Sequence, residues 1–252
     1  MSAAFDLDGP VEIVAHRGYS ARAPENTLAA LELAIAVGAD ALEFDVHAAA
    51  CGVPMLFHDA TLDRTTNGSG PIREKTVEEL AGLDAGGWFG TEFAGEPIPT
   101  LESALTRVRG RVHRLYPELK GYGAVSDLAH VADLVERAGA LEAAVFISMD
   151  WDALDTIRGH TPTARIGYIV ERADRLDGAL ERAKGDPNAL LDVNAAVLLA
   201  DPTIAERARG VSVELAAWTV NSPTVAARLL GMGVPRITTN EVEALLAWKA
   251  TL

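Results

Sequence analysis

The chain has 252 residues, 49% of them hydrophobic, with a formal net charge of −14 and a single cysteine. That length and apolar content suffice for a sizeable core, while the acidic balance disfavours binding to duplex nucleic acid or to anionic membrane surfaces, a local basic pocket aside. Cys51 alone allows neither an intramolecular disulfide nor a thiolate zinc site. The first residues, MSAAFDLDGPVEIVAHRG, lack the basic and apolar regions of a secretory signal. The apolar runs fall short of the ~20 residues that a membrane span needs. A soluble, cytoplasmic protein without a membrane anchor is expected.

Val11–Ala15 reads as a buried strand. Asn26 then reads as the cap of a helix with Leu28, Leu31 and Ile35 on one face, closed by Gly38. Ala41–His47 is the second strand. Between His58 and Thr100 the rhythm breaks into turn chemistry, TTNGSGP, GLDAGGWFG and GEPIP, around a capping box at Thr76-Val77-Glu78-Glu79. Residues 60–99 are read as an insertion after the second strand, within a single domain spanning 1–252, and long loops of this kind are often functional. Further strands are expected at Arg114–Leu119, Ala144–Ser148, Arg165–Ile169, Leu190–Val193, Val213–Val220 and Arg236–Thr238. The helices between them are Ser126–Ala138, Trp151–Arg158, Ala173–Ala183, Pro202–Arg209, Pro223–Leu230 and Glu241–Lys249. Buried strands alternating with helices mean a parallel sheet, and eight such units suit a closed (β/α)8 barrel. A doubly wound open sheet is the alternative, but no GxGxxG turn follows the first strand.

Active sites of such barrels lie where the strands end, so polar residues at strand ends are the candidates. The first strand ends in His16 and Arg17. In LEFDVH, Glu43 and Asp45 share a face, because side chains alternate along a strand. Two carboxylates there suit a hard divalent cation; a solvated edge is the plainer reading, against which the flanking Leu42, Phe44 and Val46 argue burial. If Cys51-Gly52 were a two-residue hairpin loop, Asp45 would face His58; cysteine fits such a turn poorly, so a longer loop is the alternative. RLYPELKG places Glu118 and Lys120 on one face, as a third carboxylate with a phosphate anchor or as a simple ion pair closing a strand. His47, His113, His130 and His160 read as surface or supporting residues.

Together these segments form a pattern. His16-Arg17-Gly18, Pro24-Glu25-Asn26-Thr27, Glu43-Phe44-Asp45-Val46, His58-Asp59 with Leu62-Asp63-Arg64-Thr65-Thr66, Ile98-Pro99-Thr100-Leu101, Glu118-Leu119-Lys120 and Trp218-Thr219-Val220-Asn221 resemble the glycerophosphodiester phosphodiesterase family, in order and over nearly the whole chain. The resemblance implies a TIM barrel with a small insertion after the second strand. It implies one divalent cation, Ca²⁺ or Mg²⁺, on Glu43, Asp45 and Glu118. His16 and His58 would be the general acid and base, Arg17 and Lys120 would hold the phosphate, and Trp218 would wall the pocket or fill the barrel core. The implied reaction is metal-dependent hydrolysis of a small-molecule glycerophosphodiester to sn-glycerol 3-phosphate and an alcohol. Alternatives are lysophospholipase D-like or other phosphodiester hydrolysis, with Trp88, Phe89 and Phe93 as a candidate apolar lid, and a non-catalytic barrel that binds a phosphate metabolite.

The sequence departs from the family pattern in three places. Ala49, Ala50 and Cys51 stand where a threonine, lysine and aspartate are usual before the turn glycine. ITTNEVE carries Thr239 in place of an aspartate, so a supporting contact there is expected to be missing. Pro117 directly precedes Glu118, which a sheet tolerates only where the missing N–H is not needed.

Overall fold

Strands that are apolar on both faces must be covered on both, and here the sheet does so by closing on itself. The computed structural model describes residues 10–252; the first nine, on which part of the signal-peptide reading rests, lie outside them. The elements run β1 (Glu12–Ala15), α1 (Leu28–Ala36), β2 (Ala41–Ala48), β3 (Pro54–Leu56), α2 (Val77–Ala81), α3 (Leu101–Val108), β4 (Arg114–Gly121), α4 (Val125–Arg137), β5 (Val145–Ser148), α5 (Trp151–His160), β6 (Arg165–Val170), α6 (Leu176–Ala183), β7 (Ala189–Asn194), α7 (Ala195–Ala200), α8 (Thr203–Gly210), β8 (Glu214–Trp218), α9 (Pro223–Gly231), β9 (Arg236–Thr239) and α10 (Val242–Lys249). β1 pairs in parallel with both β2 and β9, which closes an eight-stranded (β/α)8 TIM barrel. No helix among the described residues is long and apolar enough to cross a membrane.

The barrel interior is layered. Its middle is apolar, with Val14, Ala41, Tyr116, Val145, Leu190 and Ala216. Below lies a charged layer contributed by the first residues of strands: Glu12, Arg114, Arg165, Glu214 and Arg236. Arg236 reaches Glu12 at 2.9 Å and Glu214 at 2.8 Å, and Tyr116 donates to Glu12 at 2.5 Å. The helices cover the outside through a larger apolar cluster that includes Leu31, Phe44, Leu105, Phe146 and Leu229. The upper half of β2 outruns β1, and the short antiparallel β3 takes the vacated edge.

Three local readings change. Thr27, not Asn26, caps α1: its side chain accepts from Ala30 N, while Asn26 sits at φ +58 with its amide committed elsewhere. The buried side of α1 is accordingly Ala30, Leu31 and Ala34. The β2–β3 turn is longer than two residues. Ala48 pairs with Pro54, Ala49 N bonds to Val53 O, and the left-handed position falls on Gly52 (φ +77) with Cys51 at the exposed tip. The register therefore slips by one, and the residue bonded to Asp45 O is Phe57 rather than His58. Helices α3 and α7 extend the pattern read from the sequence. At Pro117 the sheet adapts: β4 joins β5 in ladder register only at Glu118↔Ile147, with an isolated bridge at Leu115↔Ala144.

Residues 57–99 carry α2, whose Thr76–Glu79 capping box is formed. Phe57, Leu62, Ile72, Leu80, Ala85 and Ile98 bury a small cluster there with Met55 and Ala49. Trp88, Phe89 and Phe93 stack edge-to-face at 5.6 Å, with Trp88 44% exposed.

Gly18 and Gly38 both have positive φ, +78 and +91, but differ in room. A Cβ on Gly18 would stand 2.5 Å from Ala30 C, whereas nothing lies within 4 Å of one on Gly38. Gly38→Ala is expected to cost about 1–2 kcal/mol through backbone conformation alone. Gly18→Ala adds an overpacking term of about 1–3 kcal/mol. Urea-denaturation midpoints should therefore fall clearly further for the Gly18 variant, and equal shifts would contradict this packing.

Candidate active site

At the upper end of the barrel a cavity is lined by His16, Arg17, Glu43, His58, Glu118, Lys120, Ile147, Met149, Ile169, Asp192, Trp218 and Thr238. Asp45 lies in contact behind it, paired with Arg17 Nε at 3.2 Å and Lys120 Nζ at 3.5 Å. The eight residues singled out from the sequence thus converge on one place.

The loop after β1 is shaped to serve β2. Arg17 and Gly18 both adopt positive φ, which turns their amides toward Glu43: Arg17 N donates to Glu43 Oε2 at 2.8 Å and Gly18 N to the Glu43 carbonyl at 3.3 Å. Asn26 closes the loop, its N–H bonded to Arg17 O at 3.1 Å. Its side chain then clasps Asp45 from both sides, Nδ2 donating to Oδ2 at 2.7 Å and Oδ1 accepting from the Asp45 amide at 3.0 Å. That buried exchange explains why Asn26 is unavailable as a helix cap.

Glu43, Asp45 and Glu118 each offer an oxygen within 4.8 Å of the others, and all three are buried. Among the described residues Glu43 Oε1 has no hydrogen-bond partner, and Asp45 Oδ1 and Glu118 Oε1 meet only the Lys120 ammonium, at 3.5 and 2.7 Å. Burial and repulsion from Asp45 and Glu118 push Glu43 well above the usual carboxylate range. Burial and Asp45 push Glu118 up to about 7. Against the cost of burial, Arg17 and Lys120 hold Asp45 below its ordinary value. Three buried carboxyls with an orphaned oxygen fit a hard divalent cation, which at 2.3–2.6 Å from each ligand spans oxygens up to about 5 Å apart.

The two histidines are held from behind by different partners. His16 Nδ1 lies 2.7 Å from Asn240 Oδ1, which also accepts from Ser20 Oγ at 3.0 Å. The ring proton therefore sits on Nδ1, and Nε2 faces Glu43 Oε2 at 3.9 Å. Burial, with Arg17 adding to it, pushes His16 down to about 4, so the ring is neutral. His58 Nδ1 donates to Asp59 Oδ1 at 2.6 Å, and hydrogen bonds from Arg64 first, then His58, hold Asp59 at about 2. His47 Nε2 approaches the His58 carbonyl at 3.0 Å and fixes the backbone there.

Several participants carried no role in the sequence reading. Glu25 takes Arg17 Nη1 at 2.7 Å and both terminal nitrogens of Arg64 at 2.8 and 2.9 Å, and Arg64 Nε reaches Asp59 at 2.6 Å. An unbroken ionic chain thus runs Asp45–Arg17–Glu25–Arg64–Asp59–His58. Glu25 and Arg64 belong to PENT and LDRTT, so the motif was visible although its contacts were not. Thr239 binds Asn221 Oδ1 at 3.2 Å, and the neighbouring Asn240 supplies the strand-end contact to His16. Asp192, on β7, gave no signal beyond its place in a strand. Trp218 lines the cavity and donates Nε1 to the Asp192 carbonyl at 3.1 Å. Trp88, Phe89 and Phe93 do not line it.

The model of the glycerophosphoryl diester phosphodiesterase family matches residues 16–244. The protein YhdW of Bacillus subtilis (strain 168), named as a candidate glycerophosphodiester phosphodiesterase, is 35% identical over 231 residues, 90% of this chain and 93% of that protein. The glycerophosphodiester phosphodiesterase of Caldanaerobacter subterraneus subsp. tengcongensis is 29% identical over 93% of this chain and 96% of its own. Among solved structures, the glycerophosphodiester phosphodiesterase of Agrobacterium tumefaciens str. C58 superposes with a TM-score of 0.81 at 33% identity, covering 94% of this chain and 99% of that one. A phosphodiesterase of Oleispira antarctica in complex with the product sn-glycerol-3-phosphate gives 0.82 at 28% identity, with 94% and 96% covered.

Asp192 allows a test of these electrostatics. Burial, then Glu118, pushes its carboxyl up to about 8 from an ordinary 3.8. A raised carboxyl pKa means that folding stability is undiminished below pH 3.8 and is lost as pH climbs through 8, since only the unfolded chain ionises in that window. Without added metal, Asp192→Asn and the unaltered protein should match in urea stability near the acid end. The Asn variant should then gain steadily, reaching an advantage on the order of a few kcal/mol at about pH 8. A pH-independent difference would contradict the placement of this group.

Proposed function

The chain belongs to the glycerophosphoryl diester phosphodiesterase family, and on that premise we propose that it hydrolyses glycerophosphodiesters to sn-glycerol 3-phosphate and an alcohol, with metal assistance and two histidines moving the protons. The observation that carries this reading is the convergence of His16, His58, Arg17, Lys120 and the Glu43–Asp45–Glu118 cluster on one cavity. The product bound by the Oleispira antarctica relative is in keeping with it.

A phosphodiester is an anion, and attack on it concentrates further charge on the phosphoryl oxygens. Arg17 and Lys120 border the cavity and can neutralise that charge. A Ca²⁺ or Mg²⁺ ion, held by Glu43, Asp45 and Glu118, supplies Lewis-acid charge stabilisation when bound. His16 is suited to the base role: its proton is fixed on Nδ1 by Asn240, and the ring is neutral, leaving the Nε2 lone pair for the proton of the nucleophile. That nucleophile is water, or the glycerol 2-hydroxyl by way of a cyclic phosphate. His58 takes the acid role, its ring held by Asp59 through Nδ1 so that Nε2 delivers a proton to the departing alkoxide. The Arg17–Glu25–Arg64–Asp59 chain ties both assignments to one rigid rim.

The 60–99 insertion supplies Arg64 to that rim, and the aromatic trio it displays lies away from the cavity. We read the whole chain as one barrel domain acting on a small soluble ester.

Turnover of glycerophosphocholine, followed by release of sn-glycerol 3-phosphate, tests the scheme. EDTA should abolish it, with Ca²⁺ or Mg²⁺ restoring it; activity indifferent to EDTA removes the three-carboxylate site from the mechanism. His16→Ala and His58→Ala should each lower kcat by roughly 10²–10⁴-fold; near-normal turnover in either ends the two-histidine scheme. Asn240→Ala should lower kcat with KM little changed, because it frees the His16 tautomer without touching the phosphate.

A further inference from the structure

Asp192 is the one carboxylate on the cavity wall that the scheme above does not use. It sits on the interior face of β7, 5% exposed, and Oδ1 has no hydrogen-bond partner among the described residues. Ile147, Met149, Ile169 and Trp218 line the same cavity, alongside its charged and polar groups. The nearest formal charge acting on it is Glu118, which is already engaged with Lys120. A buried polar atom left unsatisfied is costly, so this carboxyl is placed to meet a ligand.

The cavity's shape says which part of the ligand that is. His16 and Arg17 also line a second, polar recess bounded by Ser20, Asn221, Asn240 and Glu241. The two recesses share His16 and Arg17, so a phosphodiester whose phosphate lies against Arg17 can extend one ester arm into each, the inner compartment being the cavity that Asp192 lines. Asp192 belongs to the inner compartment. The carboxyl is almost out of water, so a neutral donor–acceptor partner satisfies it without drawing a second charge out of water, as an ammonium would. In either protonation state the carboxyl accepts from hydroxyls, and the Trp218 indole, fixed by its bond to the Asp192 carbonyl, offers a face for the intervening C–H groups.

We propose that Asp192 recognises the free hydroxyls of the substrate arm seated in the inner compartment, which makes it a specificity-determining residue for polyol phosphodiesters in this chain. The assignment rests on the phosphodiesterase reading and names the residue that selects the glycerol arm.

Equilibrium binding of three probes to the metal-loaded protein tests it: sn-glycerol 3-phosphate, n-propyl phosphate, which lacks the hydroxyls, and phosphoethanolamine, which carries an ammonium. The unaltered protein should bind glycerol 3-phosphate at least about tenfold more tightly than propyl phosphate. Asp192→Ala should bind both with one Kd, within about twofold of the original value for propyl phosphate. Asp192→Asn, which keeps the shape and can still hydrogen-bond, should recover part of the preference. The proposal is overturned if Asp192→Ala keeps the preference, if it weakens both ligands equally, or if the unaltered protein shows no preference. It is overturned in favour of a cation site if phosphoethanolamine is the probe that loses affinity. Failure of the underlying reading is separable: the unaltered protein would then bind these phosphates as described yet leave glycerophosphocholine intact.

Discussion

The upper end of this barrel is organised by a repulsion. Glu43, Asp45 and Glu118 bring three carboxyls into one dry space, and with only protein around them they cannot all be ionised. Everything adjacent responds to that fact. Arg17 and Lys120 settle the charge on Asp45, Asn26 clasps it from behind, and the Arg17 amide is turned by a left-handed backbone to meet Glu43. Two cations serve three carboxyls, Lys120 being shared between Asp45 and Glu118, and both Glu43 and Glu118 stay above the usual carboxylate range, which is the condition for drawing in a hard cation.

The barrel confines this unfavourable arrangement to one end. Its interior alternates in height rather than in sequence: charges below, hydrocarbon in the middle, the cavity above. The lower layer is also ionic, and there Arg236 bridges Glu12 and Glu214. Alternate barrel strands supply that layer through Glu12, Arg114, Arg165 and Glu214, as packing in a closed eight-stranded barrel requires. The apolar middle separates the two charged ends, so the lower ion pairs do not relieve the upper carboxyls. Stability resides in the apolar middle and the outer helix contacts, while the upper end is left poised for a ligand.

The segment after β2 joins this scheme through charge. Arg64 bridges Glu25 in the first loop to Asp59 beside His58, so one ionic chain sets the second histidine relative to Arg17. Partly exposed ion pairs contribute little stability individually; their effect here is positional, since a bidentate guanidinium fixes direction as well as distance.

The sequence by itself determined the eight-unit barrel and the candidates at its rim. Strand–helix alternation has a period that a linear chain displays, and strand ends mark the rim in any such barrel. Glu43 and Asp45, or Glu118 and Lys120, share a face because two-residue spacing is local geometry. Hairpin register was not legible, because it turned on which residue took the left-handed turn position, and Gly52 displaced the two-residue loop by one step. The role of Asn26 was hidden as well: a cap and a clasp look alike in sequence, and only Asp45, nineteen residues on, decides between them. Asn240 behind His16, the Arg64 bridge and the orphaned Asp192 depend on contacts between segments far apart in the chain. Closure of the barrel decided those, because the burial and partnering of a side chain are set by the strands that become its neighbours in space.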